Sequence, residues 1–148
     1  MKIASIQLSV VENDKDATLK KAKQAIESCS DVDLIMLPEI WNVGFMGFDR
    51  YVSEAEDING PTTDMMRSLA IKKGVFIHTG SFVEKNEKDE KDEGKYYNTS
   101  LLLSPDGDII GKYRKIHLFG YNSLETQILT PGSSVTTVDT PFGKIGMA

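Results

Sequence analysis

The sequence predicts an α/β protein built on a mixed sheet. Predicted strands and helices alternate over the first half of the chain, and a run of strands joined by turns fills the second half. Strand–helix–strand order favours parallel strands covered by helices, whereas strands joined by tight turns favour antiparallel pairing. The chain has 148 residues, of which 40% are hydrophobic and 26% charged. This is enough for a hydrophobic core, so we expect one domain over residues 1–148, with no internal repeat or linker.

The first predicted elements are a strand and an amphipathic helix. The strand is "KIASIQLSV", and the helix lies within "ENDKDATLKKAKQAIESCS". Asn13 or Asp14 is the expected N-cap, because a short side-chain oxygen accepts a hydrogen bond from an otherwise unpaired backbone N–H. Apolar residues then recur at helical spacing and predict a single buried face. They are Leu19, Ala22, Ile26 and Cys29.

A second strand and helix follow. Leu34 to Leu37 is continuously apolar, which is typical of a strand covered on both faces, and Pro38 ends it. An aromatic- and glycine-containing loop leads to "TTDMMRSLAIKKG", a helix that we expect Thr62 or Thr63 to cap and Gly74 to end.

The second half of the chain reads as strands. "VFIHTGSFVEK" is followed by residues 85–95, whose nine charged side chains predict an exposed, mobile connection. "KYYNTSLLLSPDGDIIGKYRKIHLFG" predicts two strands joined by a turn at residues 105–107, and "SSVTTVDTPFGKIGMA" predicts two further strands.

Charge and composition exclude several classes of function. The net charge of −5 argues against a nucleic-acid groove. No apolar stretch approaches the roughly 20 residues that span a bilayer, and the N-terminus lacks the apolar core of a signal peptide. The single cysteine, Cys29, forbids an intrachain disulfide. We therefore expect a cytoplasmic protein with no nucleic-acid or membrane partner.

Two charged residues follow predicted strands and are candidates for a functional site. Glu39 comes directly after the apolar strand, and Lys115 follows the strand around residues 109–113. In open α/β sheets, ligands bind beyond the carboxyl ends of the strands. A carboxylate placed there is costly unless it is hydrogen-bonded or functional. Taken singly, however, Glu39 is also explained as a cap, and Lys115 as a surface lysine.

Other reactive residue types are better explained by packing. His78 and His117 have no partner at the spacing of metal ligands, so we expect no metal site, and His117 alone suggests a packing residue. Cys29 lies in the apolar stripe of the first helix, which indicates a core residue rather than a nucleophile. Aromatic residues near Glu39 either line a pocket or belong to the core, namely Trp41, Phe45 and Phe48.

Four ordered segments together identify a family. "LIMLPEIW", "YYNTSLLLSPDGDIIGKYRKIHLF", "LTPG" and "TPFGKIGMA" closely resemble the nitrilase superfamily of carbon–nitrogen hydrolases, in particular its amidase-like branch of ω-amidases. The resemblance implies a four-layer αββα sandwich. It also implies that residues 1–148 form an incomplete, N-terminal part of a single domain of this type.

The resemblance implies a Glu–Lys–Cys mechanism. The family's "LPE" glutamate falls on Glu39 as general base, and the lysine of "YRK-x-HL" falls on Lys115 as stabiliser of the tetrahedral centre. A second glutamate, ahead of "L-x-PG", falls on Glu125. In relatives the nucleophilic cysteine follows the segment similar to "GKIGMA", about two residues beyond Ala148. The resemblance calls for no cofactor.

The implied function is hydrolysis of a non-peptide carbon–nitrogen bond in a small amide, with ω-amides of dicarboxylic acids as the preferred class. Because the 148 residues lack that cysteine, we expect them alone to be inactive. Half of the sandwich would leave an apolar sheet face uncovered, so a homodimer or higher association is expected. Two alternatives are a truncated, non-catalytic pseudoenzyme or interaction protein on the same fold, and an unrelated α/β binding domain.

Overall fold

The computed structural model describes residues 1–86 and 94–148. The helices are α1 (Lys15–Ser28), α2 (Pro61–Lys73) and the short α3 (Glu125–Ile128). The strands are β1 (Ile3–Ser5), β2 (Leu34–Met36), β3 (Phe76–Lys85), β4 (Tyr96–Leu103), β5 (Ile109–Arg114), β6 (Thr136–Thr140) and β7 (Gly143–Met147). Apart from the short α3, which was not predicted, this is the predicted succession of elements, and the α/β class is confirmed.

Five strands form one mixed sheet in the order β1-β2-β3-β4-β5. β1, β2 and β3 pair in parallel, while β3, β4 and β5 pair antiparallel. The parallel part coincides with the half of the chain where helices separate the strands. The antiparallel part coincides with the half where turns do, as connection lengths require.

The helices cover one face of this sheet. Ala22 and Ile26 of α1 and Met66 of α2 are fully buried against Ile35 and Ile77 of the sheet. The predicted apolar face of α1 is therefore the buried one, and Cys29 packs at its edge as a partly buried residue. Burial of this face supplies most of the helices' stability, because isolated helices of this length are marginal in water.

The hairpin of β6 and β7 covers part of the opposite face. Val138 and Met147 pack against Leu34, Leu102 and Tyr113, whose side chains point away from the helices. β2 is thus covered on both faces, as its continuous apolar run predicts. Helices, five-stranded sheet and hairpin form three successive layers.

The two helix starts show where local sequence rules hold and where they fail. Asp14 caps α1, since its Oδ1 accepts a 2.8 Å hydrogen bond from Ala17 N. The prediction of Thr62 or Thr63 as the cap of α2 is wrong, because the N-cap is Gly60. Glu56 accepts the Thr62 N–H at 2.8 Å and so supplies the capping oxygen from outside the helix.

A bulge in β3 brings the chain after β2 close to the sheet. The register of β3 against β4 shifts between His78 and Ser81, and Gly80 there has φ +65°. A Cβ on Gly80 would lie 2.0 Å from the Pro38 carbonyl oxygen. Only glycine permits this approach, and Ser81 N then donates to that carbonyl at 3.1 Å.

Two predictions concern the surface. The exposed connection predicted for residues 85–95 falls mainly on residues 87–93, which lie outside the described residues. Within the described ranges, none of the helices is long and apolar enough to cross a membrane.

Candidate active site

Glu39 lies immediately beyond the carboxyl end of β2, where its backbone is fixed on both sides. Pro38 is held against the β3 bulge, and the next residue, Ile40, donates its N–H to Ser81 Oγ at 3.0 Å. Ile40 is fully buried and has φ +42°, a conformation that β-branched residues rarely adopt. The surrounding contacts hold this strained turn, which fixes the direction of the Glu39 side chain.

Lys115 lies just beyond the end of β5 and is bound through both of its backbone groups. Its N–H donates to the Asn98 carbonyl at 2.8 Å, and its carbonyl accepts from Gly132 N at 2.9 Å. A Cβ on Gly132 would lie 2.1 Å from the Arg114 carbonyl oxygen. The glycine of "LTPG" therefore allows the chain to close over the end of β5.

Glu125 is the first residue of α3 and is fully buried. Its carboxylate accepts a 2.6 Å hydrogen bond from the backbone N–H of Phe119 and contacts Lys115 through both oxygens at 3.1 Å. A buried carboxylate requires such partners, because an unpaired charge in this environment is strongly unfavourable.

The structure brings the three predicted site residues together. Lys115 Nζ lies 2.8 Å from Glu39 Oε1 and 3.1 Å from Glu125 Oε2. Glu39 and Lys115, which are 76 positions apart in sequence, are thus joined by a direct hydrogen bond. The interpretations of Glu39 as a cap and of Lys115 as an isolated surface lysine do not fit these contacts. We refer to Glu39, Lys115 and Glu125 as the acid–lysine cluster.

A fourth residue, which the sequence analysis missed, joins the two carboxylates. Asn98 Nδ2 donates to Glu39 Oε1 at 2.8 Å and to Glu125 Oε1 at 3.1 Å. Asn98 lies within β4 and is 3% exposed. Its signal in the sequence is a polar amide within the strand "YYNTSLLL", a residue type depleted in strands.

The electrostatics of the cluster favour a charged lysine. Burial disfavours the Lys115 ammonium, but hydrogen bonds and Coulomb attraction from Glu39 and Glu125 outweigh burial and raise its pKa. The pKa of Tyr51 is also raised, first by burial and then by the negative charges of Glu125 and Glu39. Its hydroxyl stays protonated and donates to the Phe45 carbonyl at 2.6 Å.

A cavity of about 400 Å³ opens beside the cluster. Its wall includes both histidines of the chain, and His117 is exposed there, so its interpretation as a packing residue is wrong. Burial lowers the pKa of His78, and His78 Nδ1 accepts a hydrogen bond from Gly80 N at 3.3 Å, which indicates a neutral ring. The lining residues are Leu37, Glu39, His78, Gly80, Ser81, Asn98, Ser100, Tyr113, Lys115, His117 and Ala148.

Of the other sequence candidates, Cys29, Trp41 and Phe48 do not line this cavity. Cys29 borders a different depression together with Asp33 and Val75, which directly precede β2 and β3. That is the opposite end of these strands from Glu39. Trp41 belongs to the core beneath the helices, and Phe48 packs in a separate core cluster. Phe45 lies next to the site, its ring centroid 5.6 Å from Lys115 Nζ.

No metal site emerges from these side chains. Within residues 1–86 and 94–148, no group of three His, Cys, Asp or Glu side chains could hold a metal ion. In the acid–lysine cluster, one ammonium balances only one of the two carboxylate charges, so the cluster can both accept a proton and stabilise negative charge.

Comparison with known proteins identifies the family. The sequence model of the carbon–nitrogen hydrolases matches residues 2–148. The chain belongs to the carbon–nitrogen hydrolase family. Its relatives include the ω-amidase NIT3 of Saccharomyces cerevisiae, 34% identical, and the ω-amidase NIT2 of Homo sapiens, 31% identical. Each alignment covers 99% of this chain, but 54% and 53% of the respective relative.

Solved structures of carbon–nitrogen hydrolases share the fold. The crystal structure of Saccharomyces cerevisiae Nit3, a member of branch 10 of the nitrilase superfamily, matches with a TM-score of 0.83 over 99% of this chain. XC1258 from Xanthomonas campestris, whose crystal structure has an arsenic adduct in the active site, matches with a TM-score of 0.84 at 27% identity. The matches cover 54% and 51% of those chains, so this chain spans about half their length.

Proposed function

We propose that residues 1–148 form the N-terminal part of a single carbon–nitrogen hydrolase domain that hydrolyses a small-molecule amide. The observation that carries the proposal is the acid–lysine cluster, in which one ammonium lies within 3.1 Å of two carboxylates beside an open cavity. Ion pairs of this kind, partly desolvated at the end of a sheet, are typical of functional sites.

Glu39 is the proposed general base. Its Oε1 accepts from both Asn98 and Lys115, whereas no contact to Oε2 is found among the described residues. The side chain is 46% exposed, so Oε2 is accessible to a thiol or a water in the cavity. Glu125 is less suited to this role, because it is fully buried and four hydrogen bonds hold its charge.

Lys115 is the proposed electrostatic stabiliser. Attack on an amide carbonyl places negative charge on oxygen, and a fixed ammonium lowers the energy of that state. Lys115 Nζ lies 3.1 Å from both carboxylate oxygens of Glu125, which fits one hydrogen shared between them. A second hydrogen is donated to Glu39. The third hydrogen of the ammonium is then available to the oxyanion.

A cysteine is the proposed nucleophile, supplied by chain that continues β7. Ala148 lines the cavity, so a residue shortly after it in a longer chain would reach the cluster. The thiol would give its proton to Glu39, and its sulfur would attack the amide carbonyl carbon. The carbon–nitrogen bond then breaks, the amide nitrogen takes the proton from Glu39 and leaves as ammonia, and a thioester remains. Water deprotonated by Glu39 would then release the acid and restore the thiol.

For the substrate we propose an ω-amide of a dicarboxylic acid. The support is the identity of 31–34% to the ω-amidases of Homo sapiens and Saccharomyces cerevisiae. The cavity is large enough for a molecule of this size. We further propose that the 148 residues alone do not hydrolyse amides, because Cys29 lies at the other end of the strands.

The test measures ammonia release from a panel of small amides and ω-amides. The protein tested is produced from the gene read in frame beyond Ala148, so that it includes a cysteine after β7. Glu39→Gln should lower the turnover by about 100-fold or more, the size of a lost general base. Glu84→Gln is the control, because Glu84 is also a hydrogen-bonded glutamate but is buried on the other sheet face and does not line the cavity.

Two results would contradict the proposal. One is full turnover by the Glu39→Gln protein. The other is no ammonia release by a folded protein that carries the cysteine, which would instead favour a non-catalytic protein on the same fold.

We also propose that the protein self-associates, as a homodimer or larger. Large hydrophobic side chains beside the site are exposed, among them Met46, Phe119, Tyr121 and Leu124. Sedimentation velocity over a range of concentrations tests this, and a single monomeric species throughout would refute it.

A further inference from the structure

The contacts of Asn98 are unusual for a buried amide, because both described contacts of its nitrogen are to carboxylates. The nitrogen donates to Glu39 at 2.8 Å and to Glu125 at 3.1 Å. An amide nitrogen carries two hydrogens, so one is available for each carboxylate. The side chain is neutral, and it therefore separates two negative groups without altering the net charge of the site.

The backbone of Asn98 also contributes to the site. Its carbonyl accepts the N–H of Lys115 at 2.8 Å, and Asn98 pairs with Val83 in the β3–β4 ladder. One strand residue thus holds the lysine through its main chain and the two glutamates through its side chain. Because β4 lies between β3 and β5, this residue has little freedom to move.

Glu39 depends on the side-chain amide of Asn98 more than Glu125 does. Glu125 is fully buried and keeps the Phe119 N–H and Lys115 if the amide is removed. Glu39 is 46% exposed, and its carboxylate would keep Lys115 alone. An exposed carboxylate with one ion pair exchanges readily with water, since such pairs are worth little.

We propose that Asn98 is a positioning residue of this site. Its two amide hydrogens hold both carboxylates on one ammonium, so that the second oxygen of Glu39 faces the cavity. The inference rests on the proposed function in taking Glu39 as the base. Its test measures no turnover, so its failure would leave the proposed function untouched.

The experiment is an NMR titration of the Lys115 ammonium in the 148-residue chain, with and without Asn98→Leu. Leucine keeps the size of the side chain but has no donor. If Glu39 then turns to solvent, Lys115 loses one of the two charges that raise its pKa, while burial still lowers it. We expect the pKa to fall by on the order of one unit.

Asn42→Leu is the matched control. Asn42 is 1% exposed and donates to Glu56 and Thr62, so its loss also removes a buried amide next to a carboxylate. The pKa of Lys115 should not change in this variant. A pKa of Lys115 that is equal in Asn98→Leu and in the unsubstituted chain would overturn the proposal.

A second measurement needs no substitution of Asn98. In the unsubstituted chain, the two side-chain amide hydrogens of Asn98 should give separate signals. In Glu39→Gln, which alters a half-exposed residue, one of these signals should move strongly and the other weakly. Two signals that move equally, or that both stay unchanged, would show that the amide does not divide its hydrogens between the carboxylates.

Discussion

Two buried glutamates lie on opposite faces of the same sheet, and their surroundings differ in the balance of charge. Glu84 of β3 is held by two cations, with Lys112 Nζ at 2.5 Å and Arg114 at 3.0 Å through two nitrogens, and by the Thr99 hydroxyl at 2.5 Å. We call these four residues the Glu84 cluster. On the other face, Glu125 shares the single ammonium of Lys115 with Glu39.

This difference separates a structural ion cluster from one suited to chemistry. In the Glu84 cluster both carboxylate oxygens have charged or hydroxyl donors. The acid–lysine cluster has one cation for two carboxylates, and one carboxylate opens onto a cavity. An excess of carboxylate over cation leaves an oxygen available to accept a proton, which is what a general base requires.

The largest expected effect comes from removing the shared cation. Lys115→Met leaves Glu125 fully buried beside a second carboxylate, so we expect a loss of about 4 kcal/mol in the free energy of unfolding. Lys112→Met is the matched control, since Glu84 keeps Arg114 and Thr99, and a loss of about 1 kcal/mol is expected. Urea unfolding of both variants measures the difference. Equal losses would remove the distinction between the clusters.

The second prediction concerns the bulge that positions Glu39. In Gly80→Ala, the new methyl group meets the Pro38 carbonyl at 2.0 Å in a left-handed conformation, so we expect a loss of about 3 kcal/mol in stability. Gly74→Ala is the control, because Gly74 has φ +64° but nothing within 4 Å, and about 1 kcal/mol is expected. In Gly80→Ala, the NMR signals of Lys115 should move more than those of Lys112. The reverse pattern would show that the bulge supports the Glu84 cluster instead.

The sequence predicted the strands, the two long helices and the charged members of the site, but neither α3 nor the contacts that hold the site in place. Glu39 and Lys115 could be found because each follows a predicted strand, and Glu125 because the resemblance places it. The bulge at Gly80 and the positive φ of Ile40 could not be predicted, since both depend on the contact between β3 and the turn after β2. The prediction of the α2 cap was wrong for a similar reason, because the capping oxygen comes from Glu56, which lies outside the helix.

The third prediction concerns the pH dependence of stability. The Glu84 cluster should lose its contribution at acid pH, and the acid–lysine cluster should lose its contribution at alkaline pH. Burial alone would raise the pKa of Glu84, but hydrogen bonds from Arg114, Lys112 and Thr99 outweigh it and lower the pKa below 4.5. Its contribution to stability is present above pH 4.5 and is lost as the pH falls through the lowered value. The pKa of Lys115 is raised above 10.5, so its contribution is lost as the pH rises through that higher value.

Unfolding measured across the pH range tests this in two variants. Glu84→Gln should flatten the acid side of the stability curve and leave the alkaline side unchanged. Lys115→Met should flatten the alkaline side above pH 10.5. A curve for Glu84→Gln that keeps the acid slope of the unsubstituted chain would mean that other carboxyl groups cause that slope.

The smallest expected effect is that of replacing the only cysteine in the chain. Cys29 follows the last residue of α1, is partly buried at the edge of the core, and its thiol donates a weak hydrogen bond to the Ala25 carbonyl at 3.4 Å. Cys29→Ala removes one sulfur atom from a site that is already partly open, so we expect a loss below about 1 kcal/mol. The substitution should also leave the NMR signals of both clusters unchanged, because Cys29 lies at the other end of β2. Thiol-dependent ammonia release by the 148-residue chain that disappears in Cys29→Ala would contradict this. Such a result would place a nucleophile at the end of α1 and require a different site from the acid–lysine cluster.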